Sequence, residues 1–361
     1  MSRTDGHYLP SLDGLRAISI VLVVLGHAFV FTAPPALAHF APVFDGTLGV
    51  RIFFVISGYL ISTLLLREEA SGGISLKRFY LRRFLRLAPV QLAYIAALVL
   101  LSRNTALSET PCQVLTAVTY TKNYACSGWF DGHFWSLSVE EQFYLFWPTL
   151  MAVLPRKRLL PVALALVLLA PASRAIQYCG GARNYTWLTS NVDLLMCGCL
   201  AALVRGRPLW NKILAVSPAV GRLVAVLLIA LPTVLSAHFW FGAFTVTLGP
   251  VLQGAACAYL ISSLIEHPGG AWGAALNFAP ISFLGRMSYS LYVWQQLFFA
   301  KPADYGWDYA WPLQFPVNMA FALLAGLASY MLIERPMAGL RARLRRPRPR
   351  TEPLVAAMEQ P

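Results

Sequence analysis

Charged residues are scarce in this sequence. Only 12% of its 361 residues are charged, whereas 57% are hydrophobic and the mean hydropathy is +0.58. A soluble domain carries about 25% charged residues, roughly twice that share. The composition therefore excludes an ordinary soluble protein and predicts an all-α integral membrane protein.

Cysteines spaced for metal binding are also lacking. Of the six, Cys197 and Cys199 are separated by one residue and lie in an apolar run, which does not match the ligand spacing of a zinc site. We therefore expect no metal. Cys112 and Cys126 fall in a polar segment expected outside the cytoplasm, where a disulfide would persist, and their pairing stays open at this point.

Acidic residues are few, with 16 against 29 basic ones, which leaves a net charge of +13. Such a balance raises nucleic acid as a partner, but the basic residues lie in short clusters between apolar runs. This is the pattern of cytoplasmic loops, and it predicts that both termini are cytoplasmic and that the chain contacts a lipid bilayer and no nucleic acid. The clusters are at 77–86, 156–158, 205–212 and 341–350.

Apolar runs and helix breakers together predict about ten transmembrane helices. We expect a transmembrane domain over 1–336, followed by a basic cytoplasmic tail rich in proline and arginine over 337–361. An alternative for the first run is a cleaved signal with its site at Ala36 to Ala38, but Asp13 and Arg16 at the start of that run favour a retained span. The expected spans are 12–33, 49–66, 89–102, 136–154, 159–175, 191–204, 221–237, 243–265, 284–300 and 313–334.

Ionisable residues in the first span are the strongest functional signal, because charge inside a membrane is costly. Arg16 and His27 are eleven residues apart, so on a helix they project within about 20° of each other and are separated by about 16 Å. Asp13 is one turn before Arg16 on the same face. The alternative is a structural one, with Asp13 and Arg16 as an interfacial pair and His27 hydrogen-bonded inside the bundle.

Two further segments carry candidate site residues. Glu140 and Glu141 lie at the start of the fourth predicted span beside serines, and adjacent helical residues point about 100° apart, so we expect Glu140 to face the site. One of the two could instead pair with an arginine. The basic stretch at 77–89 either anchors lipid headgroups or binds the phosphates of coenzyme A through Arg78, Arg82, Arg83 and Arg86.

Six motifs in order resemble the membrane-bound acyltransferase-3 family of bacterial sugar and polysaccharide O-acyltransferases, over almost the whole chain. The resemblance implies that Arg16 and His27 are the essential pair, and it also implicates Glu140. Two positions differ from many members of the family, since Gln295 stands where a histidine is common and Asn191 where an arginine is common. The motifs are LDGLRA (12–17) followed by His27, GVRIFFVISGYL (49–60), KRFYLRRFLRLAP (77–89), FWSLSVEEQFY (134–144), GRMSYSLYVW (285–294) and ERP (334–336).

The expected reaction moves an acyl group from acyl-coenzyme A, acetyl-coenzyme A in particular, to a hydroxyl of a carbohydrate or glycoside in the bacterial inner membrane. His27 would act as general base, with Arg16 and Asp13 orienting the donor, and no cofactor would be bound permanently. A covalent route through His27, Ser57 or Ser138 stays open, as does a homo-oligomer. The rival function is a transporter or flippase of a lipid-linked sugar, which the lack of a long internal repeat disfavours.

Overall fold

The computed structural model describes residues 10–126, 128–182 and 184–343, and these are helical with no β-strand among them. This confirms the expected all-α class. Short 3₁₀ segments and one π-helical turn, Tyr330–Glu334, join the α-helices. The α-helices are α1 Pro10–Phe31, α2 Gly46–Ala70, α3 Leu76–Asn104, α4 Pro111–Val118, α5 Trp129–Gly132, α6 Phe134–Val153, α7 Arg156–Cys179, α8 Val192–Val204, α9 Pro208–Ala215, α10 Pro218–Ala237, α11 Gly242–Thr247, α12 Gly249–Glu266, α13 Gly270–Leu276, α14 Ala279–Arg286, α15 Ser288–Trp294, α16 Val317–Ser329 and α17 Arg335–Arg343.

Six helical segments of the described chain are long and apolar enough to cross a membrane, which makes this a multi-pass membrane protein. Each overlaps one of the ten expected spans, but the count of ten is not confirmed. The orientation of the termini stays a prediction, since residues 1–9 and 344–361 are outside the described part. The six are Ser11–Phe31, Gly46–Ala70, Leu76–Asn104, Arg156–Cys179, Pro218–Ala237 and Val317–Leu340.

The other four expected spans are shorter, interrupted or more polar than their apolar runs suggest. Helix α8 has only 13 residues, and α6 has 20 but carries two glutamates. The run 243–265 is divided at Leu248 between α11 and α12. The run 284–300 is divided at Met287 between α14 and α15, and then tightens into a 3₁₀ turn at Gln295–Phe298. Hydropathy detects apolar length but not these interruptions of the helices.

Close backbone contacts hold the centre of the bundle together. Helix α2 packs against α1 and α8, and α1 also packs against α14. A Cβ added at Gly58 would lie 1.9 Å from the carbonyl oxygen of Leu195 in α8, and one at Gly285 would lie 1.8 Å from the carbonyl oxygen of Asp13 in α1. Small residues let membrane helices approach this closely, so these glycines set the distance of α1 and α8 from their neighbours.

A disulfide joins Cys112, near the start of α4, to Cys126, with their Cα atoms 5.9 Å apart. The structure thus settles the pairing that the sequence left open. Disulfides persist in oxidising compartments, so the polar segment that contains α4 and α5 is expected on the side away from the cytoplasm. We call this side the outer end of the bundle.

The predicted domain boundary at 336 and 337 falls within α17, which runs from Arg335 to Arg343. The rest of the expected basic tail lies outside the described residues, so the boundary stays a prediction.

Candidate active site

The candidate site follows α1 from its first turns to its last. Arg16 is half-buried; its Nε donates a hydrogen bond to the carbonyl oxygen of Gly285 at 3.2 Å and its Nη2 to Oγ of Ser288 at 3.1 Å. Nδ1 of His27 lies 2.9 Å from Oε1 of Gln295. Ser288 and Gln295 are two helical turns apart, so both α1 side chains face the same neighbouring segment.

A chain of amide hydrogen bonds determines the tautomer of His27. The carbonyl oxygen of Trp129 can only accept, and Nε2 of Gln296 donates to it at 3.1 Å. Oε1 of Gln296 then accepts from Nε2 of Gln295 at 3.2 Å, which turns Oε1 of Gln295 toward the imidazole. Nδ1 of His27 must therefore carry the proton, and Nε2 has the free lone pair that a general base needs.

Aromatic rings surround His27. Its ring centroid is 6.1 Å from that of Phe31 and 6.3 Å from that of Trp129, and these two rings meet edge to face at 4.2 Å. Both rings also line a cavity of about 440 Å³ that lies toward α4 and the outer end. The imidazole therefore contacts a relay of neutral amides on one side and two rings that line this cavity.

A second histidine contacts the segment that holds His27. His133 is buried, and its Nε2 donates to the carbonyl oxygen of Val293, two residues before Gln295, at 3.1 Å. Its Nδ1 has no hydrogen-bond partner in the described residues. The sequence analysis missed His133, although its position directly before the FWSLSVEEQFY motif (134–144) could have marked it as a further ionisable group of the site.

Charged residues gather at the other end of the site. Arg83 contacts both adjacent glutamates: its Nη2 is 3.4 Å from Oε2 of Glu140 and its Nε 3.2 Å from Oε1 of Glu141. Its guanidinium carbon also lies 3.6 Å from the ring centroid of Tyr144, whose hydroxyl donates to Glu140 at 3.1 Å. Ser57 donates to Oε1 of Glu140 at 2.8 Å. We call these five residues the Arg83 cluster.

The comparison with known sequences decides the family. The family model described as an acyltransferase domain, that of acyltransferase-3, matches residues 9–335. The chain belongs to the acyltransferase-3 family. This confirms the family that the six motifs indicate and places the chain in the enzyme class of acyltransferases.

Several curated bacterial proteins are similar to this acyltransferase-3 chain. The peptidoglycan O-acetyltransferase OatA of Listeria monocytogenes is 30% identical over 329 residues, which cover 81% of this chain and 50% of OatA. The putative peptidoglycan O-acetyltransferase YrhL of Bacillus subtilis is 28% identical over 369 residues, covering 93% and 56% of the two chains. The chain spans about half the length of these relatives. No solved structure matches it.

The acyltransferase-3 residues expected at the site fall into two groups. Arg16 and His27 share one face of α1, and Asp13 lies half-buried one turn before Arg16. Glu140 belongs instead to the Arg83 cluster, seven residues and about 10 Å along α6 from His133. Arg16 lies between the two groups. Its guanidinium carbon is 5.9 Å from the ring centroid of Phe53, and Phe53 is one turn of α2 before Ser57 of the Arg83 cluster.

The four arginines expected to bind phosphate differ in their surroundings. Arg82 forms an ion pair with Glu68, and Arg83 is held by two glutamates. Arg78 and Arg86 are half-buried on the same helix, α3. Pairing with carboxylates leaves Arg82 and Arg83 less able to bind a free phosphate, so these two arginines have a second, structural role.

The two departures from the family pattern have clear contacts. Gln295 holds His27, while Nδ2 of Asn191 donates to the carbonyl oxygens of Tyr185 and Trp187 at 2.7 and 3.0 Å. Of the candidate nucleophiles, Ser138 donates to the carbonyl oxygen of Phe134 inside its own helix at 2.9 Å. Gln295 is thus a site residue, whereas Asn191 caps a turn.

A buried ion pair that the sequence analysis missed lies away from the site. Arg174, near the end of the predicted span 159–175, is 2% exposed, and its Nη2 is 2.7 Å from Oδ2 of Asp193 in α8. It also donates to the carbonyl oxygens of Ser190 and Thr247. Asp193 lies in an apolar run, and a charged residue in such a run could have indicated a buried ion pair. The contacts of Arg174 tie α7, α8 and α11 together.

Proposed function

We propose that this chain is a membrane O-acetyltransferase that transfers an acetyl group from acetyl-coenzyme A to a hydroxyl of a carbohydrate or glycoside acceptor. The names of OatA and YrhL suggest a peptidoglycan-type glycan as the acceptor. The observation that carries the proposal is the contact of Nδ1 of His27 with Oε1 of Gln295 at the end of the amide relay, because a neutral imidazole held this way has its lone pair on Nε2.

The donor would approach from the cytoplasmic side of the bacterial inner membrane, with both termini in the cytoplasm. Arg78 and Arg86 would contact the phosphates of coenzyme A, and Arg82 and Arg83 would contribute positive potential while keeping their carboxylate partners. The distance of about 16 Å between the levels of Arg16 and His27 suits an extended pantetheine arm. Arg16, with Asp13 beside it, would orient the donor.

The transfer would proceed in one displacement. Nε2 of His27 takes the proton of the acceptor hydroxyl while its oxygen bonds to the thioester carbonyl carbon. The carbon–sulfur bond then breaks, and the imidazolium returns the proton to the leaving thiolate of coenzyme A. Gln295 supports the imidazolium through its carbonyl oxygen, which accepts from Nδ1 in both charge states.

Loss of the base tests the proposal. A deletion strain expresses either the wild-type protein or His27→Asn at matched membrane levels. The His27→Asn strain should show about 10²- to 10⁴-fold less base-labile acetylation of the envelope glycans, because this is the usual contribution of a general base. Mass spectrometry of the glycans measures the acetyl increment. His238→Asn is the matched control, because His238 is exposed.

One outcome would count against the mechanism and another against the function. Full acetylation by His27→Asn would show that His27 is not the base. Unchanged acetylation in all strains, together with altered export of the glycan, would favour the transporter of a lipid-linked sugar. An ester that is removed by mild base only in the wild-type and His238→Asn strains would support the acetyltransferase.

A further inference from the structure

The cavity beside His27 contains more recognition chemistry than the transfer step requires. Its volume of about 440 Å³ lies within the range of about 300–1,000 Å³ for small-molecule sites. It lies against α4 and α5, at the disulfide-bearing outer end and away from the Arg83 cluster. Its lining residues are Phe31, Ser108, Glu109, Gln113, Trp129, Phe130, Phe299, Lys301 and Asp304.

Two lining residues carry hydrogen-bonding atoms that have no partner in the described chain. Nε1 of Trp129 is a donor, Oε1 of Glu109 is an acceptor, and both atoms are buried. Buried polar atoms normally have partners, because losing water without a replacement costs about 1–3 kcal/mol. Because both residues line one cavity, a donor and an acceptor without partners in its wall match a ligand that presents hydroxyl groups.

The apolar and charged groups of the cavity narrow the ligand class. Phe31 and Trp129 offer ring faces and edges that can pack against the C–H groups of a pyranose. The charged lining consists of two acids, Glu109 and Asp304, and one base, Lys301, and it disfavours a polyanionic ligand such as the nucleotide part of coenzyme A. A neutral sugar suits this combination.

We propose that this cavity is the acceptor subsite and binds a pyranose unit, with Trp129 and Phe31 packing against the ring and Glu109 accepting a hydrogen bond from a hydroxyl group. Trp129 would couple binding to chemistry, since its ring contacts His27 and its carbonyl oxygen ends the amide relay. A sugar held there lies against the two rings that contact His27. This inference rests on the proposed function and adds the residues that recognise the acceptor.

The test measures acceptor binding and turnover separately. The full chain, purified in detergent so that both of its faces are accessible, receives radiolabelled acetyl-coenzyme A and, as the acceptor probe, soluble glycan fragments released from the envelope of the producing strain. Trp129→Leu and Glu109→Gln should each raise the KM for these fragments by about tenfold or more and leave the KM for acetyl-coenzyme A within about threefold of wild type. Matched controls are Trp187→Leu and Asp308→Asn, which change exposed residues outside the cavity.

Each result separates the subsite from the reaction. If wild type transfers acetyl groups, His27→Asn does not, and both cavity variants keep the wild-type KM for the fragments, the subsite is wrong and the proposed function stands. A raised KM for acetyl-coenzyme A alone would assign the cavity to the donor and overturn the subsite. Absence of transfer by wild type would overturn the proposed function and the subsite together. Glu109→Gln, nearly equal in volume to the wild-type residue, serves if Trp129→Leu does not reach the membrane.

Discussion

The two ends of the site are built from different chemistry. Around His27 the described contacts are amides and aromatic rings, while the Arg83 cluster combines one guanidinium with two carboxylates. Neutral partners orient an imidazole without fixing its charge, whereas paired charges hold helices in place and attract phosphates. The difference separates the end suited to proton transfer from the end suited to a charged donor.

The largest effect that we expect is a loss of stability when the Arg83 cluster, the charged end of the site, is disrupted. Arg83→Gln should lower the free energy of unfolding by about 3–5 kcal/mol, because it leaves two poorly exposed carboxylates without their cation. Thermal unfolding in detergent, followed by circular dichroism, measures the change. Arg205→Gln is the matched control, since its ion pair with Glu266 is 39% and 37% exposed, and it should cost about 1 kcal/mol or less. Equal losses in the two variants would mean that the cluster does not hold α3 to α6.

The next effect concerns the outer end. Replacing Cys112 and Cys126 by serine should lower stability by about 3 kcal/mol, since the bond closes a loop of 14 residues in the unfolded chain. Cys179→Ser, which removes an exposed free thiol, controls for the loss of cysteine. Labelling intact cells with an impermeant maleimide, before and after reduction, checks that the disulfide forms and shows on which side of the membrane it lies. Labelling of Cys112 without reductant would contradict the disulfide.

A smaller effect tests the neutral relay. Gln295→Leu removes the acceptor of the Nδ1 proton and should lower kcat about tenfold with little change in the KM for acetyl-coenzyme A, because one hydrogen bond that orients the base is lost. Acetyl transfer by the chain in detergent, with both faces accessible, measures both constants. Gln314→Leu changes an exposed glutamine and should keep wild-type kinetics. Unchanged kcat in Gln295→Leu would show that the relay does not set the working tautomer.

The smallest effect is a pH dependence at the cavity. Burial, together with repulsion from Asp131, raises the pKa of Glu109 from 4.5 to about 7. A carboxyl group whose pKa is higher in the folded protein than in the unfolded chain stabilises the fold at pH values below its unfolded pKa of 4.5. This contribution is lost as pH rises through about 7. Glu109→Gln should therefore gain melting temperature relative to wild type between pH 5 and pH 8.

Melting curves of both proteins across that range measure the gain. Asp308→Asn, an exposed neighbour in the chain segment after α15, provides the background slope. A constant difference between wild type and Glu109→Gln would mean that Glu109 ionises without cost in the folded protein.

Local sequence patterns predicted much of this molecule. The helical class, the family and the positions of Arg16 and His27 on one face of α1 followed from composition, motif order and helical periodicity. Periodicity applies within one helix, so it also predicted that Glu140 and Glu141 diverge. It could not predict that Arg83, 57 residues away in sequence from Glu140, reaches both of them.

Helix continuity was less predictable than hydropathy suggested. The runs 243–265 and 284–300 are apolar enough to count as spans, yet each is divided in the structure. The division of the second run brings Ser288 to Arg16 and Gln295 to His27. Apolar composition is compatible with both a continuous and a broken helix, and only packing against α1 selects between them.

The sequence by itself determined that this is a helical membrane protein of the acyltransferase-3 family with an arginine and a histidine on its first helix. Tertiary structure decided which tautomer His27 adopts, which partners hold Glu140 and where the cavity with Trp129 and Glu109 lies. The reason is physical: helix formation and family motifs are encoded in neighbouring residues, whereas hydrogen-bond direction and cavity shape arise from side chains brought together across hundreds of residues.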